Sequence, residues 1–425
     1  MLWVLCDINA AYVSFCQLFN PQFNLEEVPL GVLSSNQGNI VARNQPMKDL
    51  GVKMGEAAFK IKNDVYKNQG HLWGSNFEFF GDMSNRFHTE LEYFLIEPER
   101  YSVDEAFGRI DTSYTKDVKA YAQKIQSTLK RNLGLGCGIG ISHTRTLAKA
   151  ASHCAKIKQW KHKTNGVVFL DTEEQINYAL ERMQTTDVWG VGRKIGAKLS
   201  ESGIHNALQL KQACPIEMKS KFNVVLARTI QELNKIPSID LKDPMMAREQ
   251  ICVSRSMGKP VTQFNELKES IATHMAIASK KARQQLMFVS QIKVFISTNP
   301  FSDTKQYSKS IGIDLPYPTS NTLDLTNYAL YALKHLYKAG YEYKKSGVIL
   351  SKLVLSNQIQ TNLFEENSDD QVKLKQTEVM DSINDKFGKG AIRIASAGYS
   401  HNWKPKDDLA PPSYTTRLDE LVVVN

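Results

Sequence analysis

Residues 101–107 read YSVDEAF, in which two adjacent carboxylates stand between β-forming residues. Neighbouring side chains of a strand point to opposite faces, so Asp104 and Glu105 can approach one cation together only at a strand end, a tight hairpin or a bulge. Burying both carboxylates unpaired in a core strand would cost several kcal/mol for each group. The stretch therefore predicts either a solvated hairpin turn or a site where positive charge lies against the pair.

A third carboxylate follows the first apolar run of the chain. Residues 2–6 read LWVLC, which is typical of a buried strand, and Asp7 ends this run before a strand-to-helix turn. An aspartate in this place can simply cap the next helix. If the two segments pair, however, Asp7, Asp104 and Glu105 form an oxygen-only cluster of the kind that suits Mg²⁺. Two such ions can clamp the attacking and leaving oxygens of an in-line phosphoryl transfer.

Composition favours a multidomain protein that binds a polyanion. The chain has 425 residues, enough for about three or four domains, and it carries a net charge of +9. Residues 118–170 contain no Asp or Glu. A stretch with one sign of charge favours a phosphate-facing surface, because a solvated helix usually mixes signs. Its basic residues are Lys119, Lys124, Lys130, Arg131, Arg145, Lys149, Lys156, Lys158, Lys161 and Lys163.

The six cysteines form no Cys-x-x-Cys motif, so the sequence implies neither a zinc site nor a disulfide framework. We expect most of them to be buried small hydrophobes in a reducing compartment. The apolar N-terminus lacks a basic lead, and Asp7 interrupts it too early for a signal peptide. No run of about 18 apolar residues is present, so we expect no membrane span and a cytoplasmic location.

Four motifs carry a family resemblance. They are DINAAY at residues 7–12, IVARN at 40–44, the 101–107 stretch, and GIGIS at 138–142 with LAK at 147–149. In this order and spacing they resemble the Y-family translesion DNA polymerases, in particular the UmuC type, the catalytic subunit of bacterial DNA polymerase V. Asn9 stands where the wider family often has Asp. The UmuC type is similar at this position, which is not a metal ligand there, so we expect an active enzyme.

The elements around these motifs are predicted in the order β-α-β-β-α-β, which is a ferredoxin-like palm. Gly136, Gly138 and Gly140 alternate along one strand and permit close backbone approach on that face. A second β-α-β-β-α-β order follows a proline-containing linker and lacks an Asp-Glu pair. The resemblance implies an α+β multidomain protein. In family terms we expect the palm at 1–12 and 81–170, inserted fingers at 13–80, a helical thumb at 171–236, a linker at 237–247, a little finger at 248–356 and a C-terminal tail at 357–425.

The resemblance implies two Mg²⁺ ions at the carboxylates. Asp7, Asp104 and the backbone carbonyl of Ile8 would hold the nucleotide-side ion. The same two aspartates and Glu105 would hold the ion that activates the primer 3′-hydroxyl. Tyr12 would act as a steric gate, because its ring would pack under the incoming sugar and clash with a 2′-hydroxyl. A half-buried aromatic without this role is the alternative.

Four cations are candidates for nucleotide or DNA contact. Arg43 and Lys48 in the fingers are candidates for the triphosphate, although either can be an ordinary exposed residue. Lys149 and Lys156 lie seven residues apart on one predicted helix, which places them two turns apart on the same face. By resemblance, Lys156 contacts the β- and γ-phosphates as a point charge, and Lys149 contacts DNA.

Residues 188–199 read VWGVGRKIGAKL, which looks like a helix-hairpin-helix. Gly190 and Gly192 would make the tight turn, and the backbone N–H groups that open the next helix would face a DNA phosphate. Such contact is independent of sequence, as copying requires. An ordinary helical hairpin is the alternative. Further basic residues assigned to DNA are Arg193, Lys194 and Lys198 in the thumb, and Arg255, Lys259, Lys280, Lys281, Arg283 and Lys309 in the little finger.

Two short motifs lie in the predicted tail. Residues 360–364 read QTNLF and resemble the sliding-clamp peptide of bacterial polymerases, with Gln360, Leu363 and Phe364 as anchors on a flexible segment. Residues 411–417 read PPSYTTR and resemble the C-terminal signature of the UmuC type. This second resemblance implies contact with a dimer of the processed UmuD subunit, and it makes RecA a further candidate partner.

Together these features predict an error-prone, template-directed DNA polymerase for translesion synthesis in the SOS response. It would take primer-template DNA and deoxynucleoside triphosphates in the bacterial cytoplasm, at the nucleoid when active. A non-catalytic, DNA-binding bypass scaffold is the main alternative, and primer extension with Mg²⁺ separates the two. A second alternative is another palm-type nucleotidyl chemistry, such as a cyclase. Incubation with ATP and no template tests for cyclase activity.

Overall fold

The computed structural model describes the chain except residues 36–37, 157–163, 241–248, 356–367, 389, 400–401, 406–407 and 422–425, and it describes only the backbone of 368–373. The chain divides into two compact units. Unit 1 comprises Met1–Pro244 and Asp407–Asn425, and unit 2 comprises Met245–Lys406. In the described part of the chain, every helix is too short or too polar to cross a membrane.

The described strands are β1 (Leu2–Ile8), β2 (Leu30–Leu33), β3 (Ile40–Arg43), β4 (His71–Gly74), β5 (Ile96–Arg100), β6 (Glu105–Ile110), β7 (Cys137–Ser142), β8 (Val167–Phe169), β9 (Gln250–Val261), β10 (Met287–Thr298), β11 (Ser308–Thr319) and β12 (Tyr343–Leu355). The described α-helices are α1 (Ala11–Leu18), α2 (Gln45–Asp49), α3 (Ala58–Lys67), α4 (Phe77–Glu92), α5 (Val118–Leu133), α6 (Arg145–Lys156), α7 (Glu173–Glu181), α8 (Arg193–Glu201), α9 (Ala207–Gln212), α10 (Pro215–Lys221), α11 (Val224–Leu233), α12 (Phe264–Arg283), α13 (Thr322–Leu336) and α14 (Ser368–Phe387).

The palm sheet of unit 1 has the strand order β5-β6-β1-β7-β8. Strand β1 lies in the centre, antiparallel to β6 and β7, as its nearly unbroken apolar sequence requires. Its side chains alternate between two cores. Leu2, Val4 and Cys6 face the core that α4 and α5 cover, whereas Trp3 and Leu5 pack with Ala148 of α6.

The fingers and thumb of unit 1 have cores of their own. A small sheet of order β3-β2-β4 packs with α2 and α3 around residues such as Ile40, Met47 and Ile61. Helices α7 to α11 pack together around Leu180, Leu199 and other apolar residues. The α+β fold class predicted from the sequence is confirmed, including the ferredoxin-like order of the palm.

Unit 2 contains a second sheet, of order β11-β10-β12-β9, in which every described strand pair is antiparallel. Helices α12 and α13 pack on this sheet, which gives the expected β-α-β-β-α-β order. The sequence analysis did not anticipate α14. This helix packs on α12 through Asp381, whose carboxylate accepts from Arg283 Nε at 2.8 Å. Half-buried and buried residues of α14 recur at helical spacing along 374–384. The sequence analysis predicted only a polar tail here, because an acidic run precedes these residues.

Candidate active site

Strand pairing brings the three predicted carboxylates to one end of the palm sheet. Asp7 of β1 and Glu105 of β6 are direct partners in the antiparallel register. Such partners have Cα atoms about 4.5–5.5 Å apart. The amide of Ile8 also donates to the carbonyl of Asp104, at 2.9 Å. The backbone therefore fixes Asp7 beside the Asp104–Glu105 pair.

A tight hairpin between β5 and β6 holds the adjacent carboxylates. The amides of Tyr101 and Ser102 both donate to the carbonyl of Glu105, each at 3.1 Å. Ser102 Oγ accepts from the amides of Asp104 and Glu105, at 3.3 and 3.0 Å. The same hydroxyl donates to Asp104 Oδ1 at 2.6 Å. Ser102 thus closes the hairpin and orients a carboxylate, a role that the sequence analysis did not assign to it.

Two lysines of α6 lie against the carboxylates. Lys156 forms an ion pair with Asp7. Lys149 lies on the same helix, and its Nζ donates to both carboxylate oxygens of Glu105, at 2.9 and 3.0 Å. The Lys149 ammonium also lies 4.4 Å from the centre of the Tyr101 ring. The sequence assigned these lysines to phosphate and DNA, whereas the structure places both in contact with acidic groups.

The fold perturbs the ionisation of Asp7. Burial raises the pKa of its carboxyl to about 7, the adjacent Lys156 opposes this rise, and the Glu105 and Asp104 carboxylates add to it. Desolvation and like charge both disfavour an ionised carboxylate. Additional positive charge at this position would therefore favour the ionised form of the Asp7 carboxyl.

The donor set fits a hard divalent cation, although the side chains are not arranged as ligands. Within the residues that the structure describes, no three His, Cys, Asp or Glu side chains are grouped to hold a metal ion. Lys156 and Lys149 instead neutralise two of the carboxylates. Their side chains are 34% and 24% exposed, so each can move toward solvent when a cation binds. The carboxylate oxygens that remain are the ligands that Mg²⁺ prefers.

Tyr12 lies in the first turn of α1 and is half-buried. Its ring stacks on Phe80 of α4, with the ring centres 4.5 Å apart and the planes at 11°. Phe77 contacts the same ring edge-on at 6.3 Å. Burial raises the pKa of the Tyr12 hydroxyl, and the Asp104 carboxylate adds to this rise. The Tyr12 ring therefore packs against the first turn of α4.

Arg43 and Lys48, the two basic residues of the fingers that were predicted to contact nucleotide, have different surroundings. Arg43 ends β3, and its Nη1 donates to the carbonyl of Val52, so part of its guanidinium is used within the fingers. Lys48 is an exposed residue of α2. Contact of either residue with a triphosphate stays a prediction.

The thumb turn has the conformation that its glycines permit. Gly190 has a φ of 88°, which L-residues rarely adopt, and Gly192 is the residue before α8. One 3₁₀ turn, Thr185–Asp187, precedes the loop, so the first arm of the hairpin is shorter than the second. The basic residues assigned to DNA in this helix are exposed: Arg193, Lys194 and Lys198.

Other predicted residues lie elsewhere. Arg255 is exposed on β9 of unit 2. The clamp-peptide residues Gln360, Leu363 and Phe364 fall outside the described residues.

The sequence analysis assigned no contact with the carboxylate hairpin to Trp189. In the structure, its Nε1 donates to the hydroxyl of Tyr101 in that hairpin, at 2.9 Å. This contact joins residues 88 positions apart, so no local pattern could have indicated it.

Comparisons with known proteins give the family matches of the chain. The impB/mucB/samB family matches residues 6–153, the C-terminal domain of that family matches 248–363, and a domain of unknown function, DUF4113, matches 377–424. The chain is 35% identical to Protein UmuC of Salmonella typhimurium over 425 residues, which is 100% of both chains.

Solved structures match the fold. A chimera titled as a Y-family DNA polymerase, Dbh-Dpo4(243-245)-Dbh, has a TM-score of 0.66 at 17% identity, with 84% of this chain and 100% of that chain covered. A structure titled as an insertion ternary complex of Dbh DNA polymerase has a TM-score of 0.53 at 17% identity, with the same coverage. At this identity the likeness shows the fold.

Proposed function

Because this chain belongs to the impB/mucB/samB family, the UmuC type of the Y-family DNA polymerases, we propose that it copies template DNA past damaged bases in the SOS response. The observation that carries the proposal is the meeting of Asp7, Asp104 and Glu105 at one end of the palm sheet. A scaffold that only binds DNA would have no use for three carboxylates held together at one sheet end, where burial chiefly, with Glu105 and Asp104 adding to it, raises the pKa of Asp7 to about 7.

The carboxylates and the carbonyl of Ile8 would hold two Mg²⁺ ions, which when bound lower the pKa of the primer 3′-hydroxyl and offset charge on the departing pyrophosphate. The primer oxygen forms a bond to the α-phosphorus as the bond to pyrophosphate breaks. Ser102 keeps Asp104 oriented through its 2.6 Å hydrogen bond. Lys156, once released from Asp7, would place its ammonium against the triphosphate, where negative charge develops. Lys149 would stay with Glu105 or turn to the DNA.

Tyr12 would select deoxyribonucleotides. Phe80 and Phe77 pack against its ring, so the ring has little room to retreat from a 2′-hydroxyl. Exclusion by contact needs no hydrogen bond to the sugar. Arg43 and Lys48 would contact the triphosphate from the fingers.

The remaining partners of the proposal are macromolecules. The exposed thumb residues Arg193, Lys194 and Lys198 would hold primer-template DNA by its phosphates, together with Gly190 and Gly192 of the loop and Arg255 of unit 2. Residues 360–364 would bind the sliding clamp. The chain would also contact a processed UmuD dimer, with RecA as a further candidate, in the bacterial cytoplasm.

Replacing Asp104 tests the proposal. We expect Asp104→Asn to lower the rate of primer extension by at least roughly a hundredfold, because the variant loses a carboxylate that would hold the divalent cations. Binding to primer-template DNA, measured by fluorescence anisotropy, should persist. The matched control is Asp64→Asn, on the exposed face of α3, which should extend normally.

Two results would overturn the proposal. Normal extension by Asp104→Asn would remove the carboxylate assignment. A wild-type chain that binds DNA but does not extend a primer with Mg²⁺, the clamp and the accessory subunit would favour the bypass scaffold. The same assay on a template with an abasic site measures damage bypass.

A further inference from the structure

The C-terminal segment 409–414 packs against the fingers and palm of unit 1. The amide of Gly74 donates to the carbonyl of Leu409 at 2.6 Å, and Leu409 joins the apolar core of the fingers. Asn76 Nδ2 donates to the carbonyl of Pro411 at 2.9 Å and to Ser413 Oγ at 3.0 Å. The Ser413 side chain is buried. Part of the tail is therefore built into the catalytic unit.

Tyr414 fills a slot between two helices. Its ring stacks on Phe19, with centres 4.6 Å apart and planes at 5°, and it meets Phe79 edge-on at 5.5 Å. Its hydroxyl accepts from Asn20 Nδ2 at 3.4 Å. Phe19 directly follows α1, the helix that carries Tyr12, and Phe79 lies in the first turn of α4.

The same turn of α4 supports the Tyr12 ring. Asn76 is the residue before this helix, and its Oδ1 accepts from the amide of Phe79 at 3.1 Å. The Asn76 side chain therefore joins the C-terminal segment to the start of α4. The next residues of the turn, Phe77 and Phe80, hold the Tyr12 ring from its edge and its face. Phe79 and Phe80 also contact each other, at 5.6 Å.

We propose that the segment 409–414 positions the Tyr12 ring and so sets how strictly the enzyme rejects ribonucleotides. Tyr414 and Asn76 are the positioning residues. The inference rests on the proposed function, in which Tyr12 contacts the incoming sugar. A gate that works by contact discriminates only while its ring cannot retreat. Close aromatic packing from Tyr414 through Phe79 to Phe80 keeps the ring in place.

The segment also limits where a protein partner can bind. The motif PPSYTTR includes Pro411 and Ser413, which are buried, and Tyr414, which is half-buried. The exposed residues of this part of the tail are Pro412, Thr416, Arg417, Leu418 and Asp419. A partner that contacts the folded tail would meet these exposed side chains.

The test compares dCTP with CTP opposite a template guanine, using the full-length chain and Mg²⁺. We expect Tyr414→Ala to lower the ratio of kcat/KM for dCTP to that for CTP by about fivefold, mainly through better use of CTP. Asn76→Ser should act in the same direction. Serine keeps an oxygen that can cap α4 but loses both amide donors to the C-terminal segment.

Two variants serve as controls. Tyr414→Phe keeps the ring contacts and should retain nearly the wild-type ratio. Leu418→Ala alters the same tail at a side chain that is 87% exposed, and it should leave both efficiencies unchanged. Thermal denaturation of each variant establishes that it is folded at the assay temperature. If Tyr414→Ala does not fold, the Asn76→Ser ratio decides.

The outcomes separate this inference from the proposed gate. If Tyr12→Ala uses CTP well but Tyr414→Ala and Asn76→Ser do not, the segment does not position the ring and the inference is wrong. Parallel losses for dCTP and CTP in these variants would show a merely structural segment and would also overturn it. If Tyr12→Ala does not raise the use of CTP, the gate assignment fails together with this inference.

Discussion

Strand alternation gives Asp7 the same face of β1 as Trp3 and Leu5, so its carboxylate lies beside Lys156 of α6. An exposed aspartate would be ionised throughout the physiological range. Here burial and two neighbouring carboxylates raise the pKa to about 7. A position that destabilises its own charge in this way is typical of sites that bind a cation or transfer a proton.

His274 in unit 2 has a perturbation of the opposite sign. Burial lowers the pKa of its imidazole to about 4, and Arg255 and Lys404 add to the fall. Its Nε2 lies 3.3 Å from Ser270 Oγ and 3.2 Å from Ser346 Oγ. Because the unfolded chain has the ordinary pKa near 6.5, it takes up the proton first as the pH falls. The neutral imidazole thus contributes stability that is complete above pH 6.5 and lost toward pH 4.

We predict that unit 2 loses roughly 3 kcal/mol of unfolding free energy through His274 between these pH values. Urea unfolding of wild type and His274→Gln at several pH values measures the difference in slope. The variant should show a shallower loss below pH 6.5. His335→Gln, at an exposed histidine of α13, is the control and should keep the wild-type slope. Equal slopes for wild type and His274→Gln would contradict the prediction.

Strand β7 and helix α6 pack in direct backbone contact. A Cβ atom at Gly140 would overlap the amide nitrogen of Ser152 and the carbonyl oxygen of Ala148. The alternating glycines of the sequence predicted a close approach on this face, and Gly140 confirms it. This packing matters for the site, because α6 carries Lys149 and Lys156 to the carboxylates.

We predict that Gly140→Ala destabilises unit 1 by roughly 1–3 kcal/mol or more, because backbone atoms must move to admit the methyl group. Primer extension should fall as well, since α6 moves away from the carboxylates. Gly136→Ala is the matched control. A Cβ atom there would lie 3.6 Å from Asn9 Nδ2, which is an ordinary contact. Thermal denaturation compares the two variants, and equal melting temperatures would disprove the close packing.

Across the whole molecule, the C-terminal region contributes to both units in turn. Trp403 is buried in the core of unit 2, where its carbonyl accepts from the amide of Gly258 at 2.9 Å. A few residues later, Leu409 and Tyr414 pack in unit 1. The end of the chain therefore supports the folding of each unit separately.

We predict that Trp403→Ala loosens unit 2 alone, by roughly 3–5 kcal/mol, because a large buried side chain is lost. Hydrogen–deuterium exchange of the full-length chain should become faster in β9, β12 and α12. Exchange in β1, β6 and β7 of unit 1 should not change. Tyr399→Ala, at a side chain that is 86% exposed, is the control. Faster exchange in both units would mean that their cores are not independent.

The parts of the site that could be predicted are those with local signals. The apolar run before Asp7, the adjacent carboxylates of a hairpin and the alternating glycines each express a short-range rule of strand or turn geometry. These rules were enough for the order of elements in the palm and for the idea that three carboxylates meet, whereas the multidomain fold class came from the family resemblance. They also indicated that positive charge would lie against Asp104 and Glu105.

Contacts between distant residues came only from the folded chain. No periodicity indicates that Lys156 pairs with Asp7, that Arg43 bonds to Val52, or that Asn76 holds a segment 335 residues away. Helix α14 was not predicted, because the acidic run at its N-terminus was interpreted as part of a polar tail. Local sequence limits the conformations of a few neighbouring residues, whereas the choice among distant partners depends on packing the whole core at once. For this reason the sequence predicted the carboxylate cluster but did not predict which residues pack around Tyr12.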